Sequence, residues 1–159
     1  MESKERGPRR EYRTDQIAVQ WEPEFCIHSA HCIRSLPDVF IPSDRPWVHV
    51  DRATADAIAE AVMRCPTGAL HFRRLDGAPQ EPVPEETTIW PVPNGPLVVR
   101  GNIELQDRNG QTLRHDTRMA LCRCGKSRHK PFCDNTHRLV AFSDADHGAP
   151  PPAGDAPAG

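Results

Sequence analysis

The sequence predicts an α+β protein of two small domains, a mixed α/β one followed by a β-rich one. Three observations carry that expectation. The six cysteines fall into two groups of three, Cys26, Cys32 and Cys65, then Cys122, Cys124 and Cys133, with a proline-rich stretch between them. The first group lies among short alternating runs and helical patterns, whereas extended runs alone lead to the second. The 159 residues are also poor in apolar material, with 6% aromatics and a mean hydropathy of −0.63. Domains of about half this length are marginal on a hydrophobic core alone and often lean on a metal centre.

Residues 1–13 are charged, nearly devoid of apolar side chains, and read as a mobile tail. The first domain is expected over 14–75. Ile17–Trp21 alternates as a short strand. Cys26–Cys32 reads as a cysteine loop running into one or two helical turns that Pro37 ends. Val39–Ile41 and Trp47–Val50 are extended pieces. Ala57, Ile58, Ala61 and Val62 mark a helix from Ala55 to Arg64, with Asp51 or Thr54 as its N-cap. Cys65-Pro66-Thr67-Gly68-Ala69 closes it, and Leu70–Phe72 is a final strand.

Six prolines lie from Asp76 to Pro96, so residues 76–93 read as an extended, semi-rigid linker whose Ile89 and Trp90 dock on one of the domains. The second domain is expected over 94–143. Leu97–Arg100 and Ile103–Gln106 are strands, and Asn109-Gly110 signals a hairpin into Gln111–Leu113. Met119–Leu121 leads into the second cysteine group, and Leu139–Phe142 returns as a last strand. Residues 144–159 are rich in Pro, Ala, Gly and Asp and read as disordered.

The second cysteine group is a compact pattern, C-R-C-G-K-S-R-H-K-P-F-C-D-N-T-H from Cys122 to His137. A short extended turn can aim Cys122 and Cys124 at one ion. Cys133 and His137 are four apart, so one helical turn puts them on one face. Asp134 stands where an N-cap would accept backbone N–H groups. Thiolates suit iron–sulfur sites, and replacing a thiolate by imidazole raises the potential of a [2Fe–2S] centre. Three thiolates and an imidazole also satisfy tetrahedral zinc, although zinc sites commonly space paired cysteines by two to four residues. A disulfide between Cys122 and Cys124 is geometrically disfavoured, and nothing marks the chain as secreted.

This stretch resembles the signature of the CDGSH iron–sulfur family, C-x-C-x2-(S/T)-x3-P-x-C-D-G-(S/A/T)-H. Cys122, Cys124, Ser127, Pro131, Cys133, Asp134, Thr136 and His137 match in type and spacing. Asn135 stands where the signature has glycine, and asparagine tolerates the left-handed region best after glycine. The resemblance implies a [2Fe–2S] cluster on Cys122, Cys124, Cys133 and His137, in proteins linked to electron transfer and cluster delivery. It also implies a homodimer through this domain; a monomer, with the fused first domain in the partner's place, is the alternative.

The segment Ile17–Phe72 resembles single-cluster ferredoxins, including the divergent mono-cluster type and the small [3Fe–4S] partners of haem monooxygenases. The likeness rests on C-x5-C at Cys26 and Cys32 and on the later Cys65-Pro66-Thr67-Gly68-Ala69. It implies a small ferredoxin-like α/β domain ahead of the β-rich CDGSH-type domain. Ser29 occupies the place of a fourth ligand cysteine, so [3Fe–4S] and [4Fe–4S] are both open, with His28 as a competing fourth ligand. His28 and His31 flank the group and suit a role as hydrogen-bond donors to it. Three buried structural cysteines are the bland alternative.

The formal net charge of −2 gives no case for nucleic-acid or membrane-surface binding. No apolar run approaches membrane-spanning length, the N-terminal residues lack an apolar h-region, and a cytoplasmic location is expected. No nucleophile–base set or phosphate loop marks an enzyme. The expected function is one-electron transfer with a redox partner protein. Cluster transfer to an apo-acceptor, redox or pH sensing, and a zinc-stapled interaction module are the alternatives.

Overall fold

A computed structural model describes residues 8–145, which fall into two compact units. The first comprises the chain up to Cys65 and Ala69–Pro82; the second comprises Pro66–Gly68 and the chain from Val83 onward.

In the first unit β1 (Arg10–Arg13), β2 (Ile17–Trp21) and β3 (Leu70–Arg74) form an antiparallel sheet in that order. Ile17, Ala18 and Val19 of the central strand are buried. α1 (His31–Ser35) follows the first cysteine loop. α2 (Ala55–Met63) buries Ala55, Ile58, Ala61 and Val62. Thr54 is its N-cap, its hydroxyl accepting the Ala57 N–H at 3.2 Å. The two extended pieces meet in a single bridge, Phe40 to Val48, and Trp47 packs edge-on to Trp21 with ring centres 4.9 Å apart.

Two expectations are corrected here. The described part of the N-terminal segment is a tail only in composition: Arg10–Arg13 pairs along β2, from Arg10 opposite Trp21 to Arg13 opposite Ala18. Ladder hydrogen bonds need no apolar face, and a charged edge strand is a common protection against further pairing. The start of the expected linker also folds back onto β3. Gln80 and Glu81 side chains accept the edge N–H groups of Arg74 (2.9 Å) and Phe72 (3.1 Å), and Glu81 lies 2.8 Å from His71.

The second unit is built on the antiparallel sheet β4 (Thr88–Pro91), β5 (Leu97–Gln106) and β6 (Thr112–Leu121). β4 corrects the linker reading again: Trp90 opposes Val98, and Arg100 stacks 5.7 Å from the Trp90 ring centre. Pro91 is tolerated because β4 is an edge. The two expected strands over 97–106 are one strand whose register shifts between Arg100 and Ile103. The Asn109-Gly110 turn joins β5 to β6, with the Asp107 carboxylate accepting the Asn109 and Gln111 N–H groups. Val98, Val99, Met119, Ala120 and Phe132 form the core. Beside it Arg114 donates to the Gly68 carbonyl (3.1 Å) and to Asp116, and Gly68 lies at φ +72° where an added Cβ would meet the Arg118 carbonyl at 2.5 Å.

The expected last strand over 139–142 is instead the end of a short helix, α3 (Thr136–Leu139), and a turn. Among the described residues no strand pairs with them; the Phe142 N–H bonds the His137 carbonyl at 2.9 Å. Asp144, placed in the disordered tail by composition, pairs with Arg123, and its carboxylate accepts the Asn94 N–H at 3.1 Å. Residues 146–159 lie outside the described part.

Candidate metal centres

The second site sits where β6 ends. Its loop leaves and returns at one point: the Cys122 N–H bonds the Pro131 carbonyl (2.8 Å) and the Cys133 N–H bonds the Ala120 carbonyl (2.9 Å). That closure carries Cys122 and Cys124 back beside Cys133. Inside the loop the buried Ser127 hydroxyl donates to the Phe132 carbonyl at 2.6 Å and accepts the His129 N–H at 3.0 Å. His129 is half-buried with its ring 5.1 Å from Phe132. Gly125 (φ +76°) and Asn135 (φ +75°) take the two left-handed turns, so asparagine does serve in glycine's place.

Asp134, expected as the N-cap, instead stands one residue before it. One carboxylate oxygen accepts the Thr136 N–H (3.0 Å) and the other the Arg128 N–H (2.9 Å), tying loop to helix. Burial would raise its pKa, but the bonds from Thr136 and Arg128 prevail and hold it down at about 2. Asn135 is the residue at the N-cap position, with no side-chain cap bond.

The four side chains meet as two pairs. Cys122 Sγ lies 3.8 Å from Cys124 Sγ, and Cys133 Sγ lies 3.5 Å from His137 Nδ1. Two thiolates about 2.3 Å from one tetrahedral ion stand about 3.8 Å apart, and a thiolate and imidazole about 3.6 Å. Each pair therefore has the spacing of ligands to one ion. Among the described residues no three His, Cys, Asp or Glu side chains converge as ligands of a single ion. Backbone N–H groups of Lys126 and Asn135 point at Cys124 and Cys133 sulfur, each at 3.4 Å. Burial opposes ionisation of Cys122, but the amides of Ser127 and Gly125 outweigh it and lower its pKa. Burial, then the neighbouring thiolates and Asp134, raise that of Cys133.

In the first unit Cys26 follows the turn Pro23–Phe25, Cys32 lies in α1, and Cys65 follows α2 with its N–H on the Val62 carbonyl (3.0 Å). Burial and then Cys65 and Cys26 push the Cys32 thiol up to about 11; burial also raises Cys26, with Cys65 adding to it. The influence of Cys65 on both, and of Cys26 on Cys32, places the three cysteines in one neighbourhood. The buried Trp21 indole N–H has no acceptor in hydrogen-bond geometry, yet it lies close enough to Cys26 to favour its thiolate.

His28 is exposed at φ +56°, its Nδ1 3.9 Å from Cys26 Sγ, so it is near the group without being enclosed by it. Ser29 is half-buried and its carbonyl accepts from Arg34 at 2.9 Å. His31 is half-buried at the start of α1. Sequence spacing did not mark Trp21 or the second contact of Asp134. Nor did it mark Arg123, which is no free loop cation: it donates to the Gly95 and Val92 carbonyls, both at 2.8 Å, and pairs with Asp144.

Residues 12–75 match the family model described as a divergent 4Fe-4S mono-cluster, and residues 94–138 match the iron-binding zinc finger of CDGSH type. The chain belongs to both families. It is therefore an iron–sulfur protein, with an N-terminal ferredoxin-like part and a C-terminal CDGSH part. It is also 30% identical over 67 residues to "Uncharacterized protein YjdI" of Escherichia coli K12, an alignment that covers 42% of this chain and 88% of that protein. The Escherichia coli O157:H7 counterpart matches equally. Among the described residues no helix is long and apolar enough to cross a membrane.

Proposed function

We propose that this chain is a two-cluster, one-electron carrier rather than an enzyme. Cys122, Cys124, Cys133 and His137 would hold a [2Fe–2S] cluster, and Cys26, Cys32 and Cys65 a [3Fe–4S] cluster, or a [4Fe–4S] one with a fourth ligand. The observation that carries this reading is the pairing of ligands in the second site, 3.8 Å and 3.5 Å within pairs. Bound there, a cluster supplies a reversible one-electron couple whose potential depends on ligand charge and on hydrogen bonds to sulfur. The chain contributes both levers. His137 replaces a thiolate and so removes a negative charge, while the Lys126 and Asn135 N–H groups and the Trp21 indole stand at ligand sulfurs.

Delivery of the second cluster to an apo-acceptor is favoured by one feature: Cys122 and Cys124 are only half-buried, whereas Cys133 and His137 are buried. Iron and acid-labile sulfide counts with absorption and EPR spectra of the anaerobically purified protein test the reading. Two distinct cluster signals that survive a cycle of reduction and reoxidation are expected. A colourless protein containing zinc would overturn it, and loss of the second signal on reduction would favour delivery.

A further inference from the structure

The loop and helix that carry the second site present a surface that its ligands do not explain. Between Cys122 and Ala141 the chain has five basic residues and a single acid, Asp134, in a protein whose formal net charge is −2. Asp134 is engaged by two backbone amides, and Arg123 is paired with Asp144. Lys126, Arg128, Lys130 and Arg138 are all exposed, and among the described residues none of the four has an acidic partner. Beside them stands the most exposed large apolar side chain of the described residues, Leu139 at 87%, followed by Val140 at 47%. The backbone forces that exposure: α3 ends after four residues, Val140 N–H returns to the Thr136 carbonyl, and Phe142 N–H turns back to His137. Asp134 joins the Arg128 segment to the start of α3, which brings the cations and the Leu139 knob to one region around His137.

We infer that this face docks an acidic protein surface, that of the partner exchanging electrons with the second site. The inference rests on the electron-carrier reading above and names the partner's chemistry. Three thiolates, two sulfides and two ferric irons leave one net negative charge, so the face stays cationic with the site loaded. Four unpaired cations around a small apolar contact suit a short-lived encounter, where charge sets the association rate and a small dry centre sets register. A second copy of this chain would set like charge against like charge. A membrane would need a longer amphipathic helix than the four residues of α3.

The test uses the full-length holoprotein and flavodoxin, a strongly acidic one-electron protein, as the probe. Stopped-flow absorbance follows reduction of the second cluster by flavodoxin hydroquinone across ionic strength. A Lys126→Glu, Lys130→Glu double variant is expected to react about tenfold more slowly at low salt, and its rate to lose the steep salt dependence of the parent. An Arg45→Glu, Arg52→Glu variant, equal in charge and remote in sequence, should stay within about twofold of the parent. Leu139→Ser should weaken binding without flattening the salt dependence. Dithionite should bleach a Lys130→Glu single variant, Leu139→Ser and the remote control as it does the parent, which separates docking from cluster loading. Immobilised flavodoxin reads the same ranking as binding and needs no loaded cluster. Equal rates for the parent and the Lys126→Glu, Lys130→Glu variant, or equal losses in the remote control, would overturn the inference. So would binding to phosphatidylserine vesicles that the same substitutions abolish while flavodoxin reduction is unchanged; that result would assign the face to lipid.

Discussion

His137 is the residue on which the second site turns. Of the four proposed ligands it is the only imidazole, and its protonation competes with binding in the range between neutral and mild acid. Burial, and after it Arg138, lowers its pKa, so the neutral form that can ligate persists further into acid than an ordinary histidine would allow. A ligand held neutral this way is released only as pH falls through the lowered range. His137→Cys replaces it with a thiolate, which donates more charge. The potential of the second cluster is expected to fall by on the order of 100 mV, and acid bleaching to slow. Potentiometric titration and the bleaching rate at mildly acidic pH check both, and bleaching as fast as in the parent would remove His137 from the ligand set. In the first site the question is the fourth corner. Ser29 holds a hydroxyl where a thiolate would stand, and a hydroxyl binds iron poorly unless deprotonated. Ser29→Cys is expected to give a stable four-iron cluster, read as iron count and EPR spectrum. His28→Ala should leave the parent spectrum unchanged, because His28 is exposed; loss of a fourth iron in that variant would make His28 a ligand. The candidate ligands stand out in the sequence because chelation would fix their spacing within a loop. Their supports were not: Arg123 reaches acceptors 21, 28 and 31 residues away, distances at which spacing carries no information.

Elements whose apolar residues face a core were legible, and elements held by backbone bonds or by charge were not. α2 was readable from Ile58, Ala61 and Val62, and its cap from Thr54. β1 has no apolar stripe, and β4 is masked by the prolines around it; both exist because a neighbouring strand had an unpaired edge. Residues 139–142 were misread as a strand because a short apolar run has no period to decide it. Arg74 shows how charge ends an element. At the last residue of β3 its guanidinium bonds Asp56 at the start of α2 and Asp76 in the following turn, each at 2.6 Å. The bond to Arg74 is the first cause that lowers the Asp76 carboxyl. A carboxyl lowered on folding adds stability above the ordinary carboxylate range and loses it as pH falls through the folded value. Arg74→Gln is therefore expected to lower the melting temperature of the first unit at neutral pH, and the gap from the parent should close as pH falls through the lowered range of the Asp76 carboxyl. Thermal melts followed by circular dichroism across that range decide it, and a gap independent of pH would mean that Arg74 acts by packing instead.

At the scale of the whole molecule, each unit encloses one cysteine group, and stability and cluster binding are expected to be divisible between them. Cys122, Cys124, Cys133 and His137 all lie in the second unit, as do the three strands of its sheet. The sheet begins at Thr88, inside the segment that composition marks as linker, so a working boundary belongs before it. A fragment starting at Val83 keeps β4, and with it the pairing of Trp90 with Val98 and the stacking of Arg100. It loses the Gly68 carbonyl as an acceptor for Arg114, but Arg114 retains Asp116. A fragment starting at Pro93 loses the whole edge strand and leaves one side of β5 unpaired. The Val83 fragment is expected to load the second cluster with the absorption and EPR signature it has in the full chain. The Pro93 fragment should load less, melt lower and aggregate more readily through the open β5 edge. Iron and sulfide counts, melting temperatures and light scattering on both fragments decide the matter. If the two behave alike, β4 is dispensable to the site; if neither loads, the fold of the second unit depends on Pro66–Gly68.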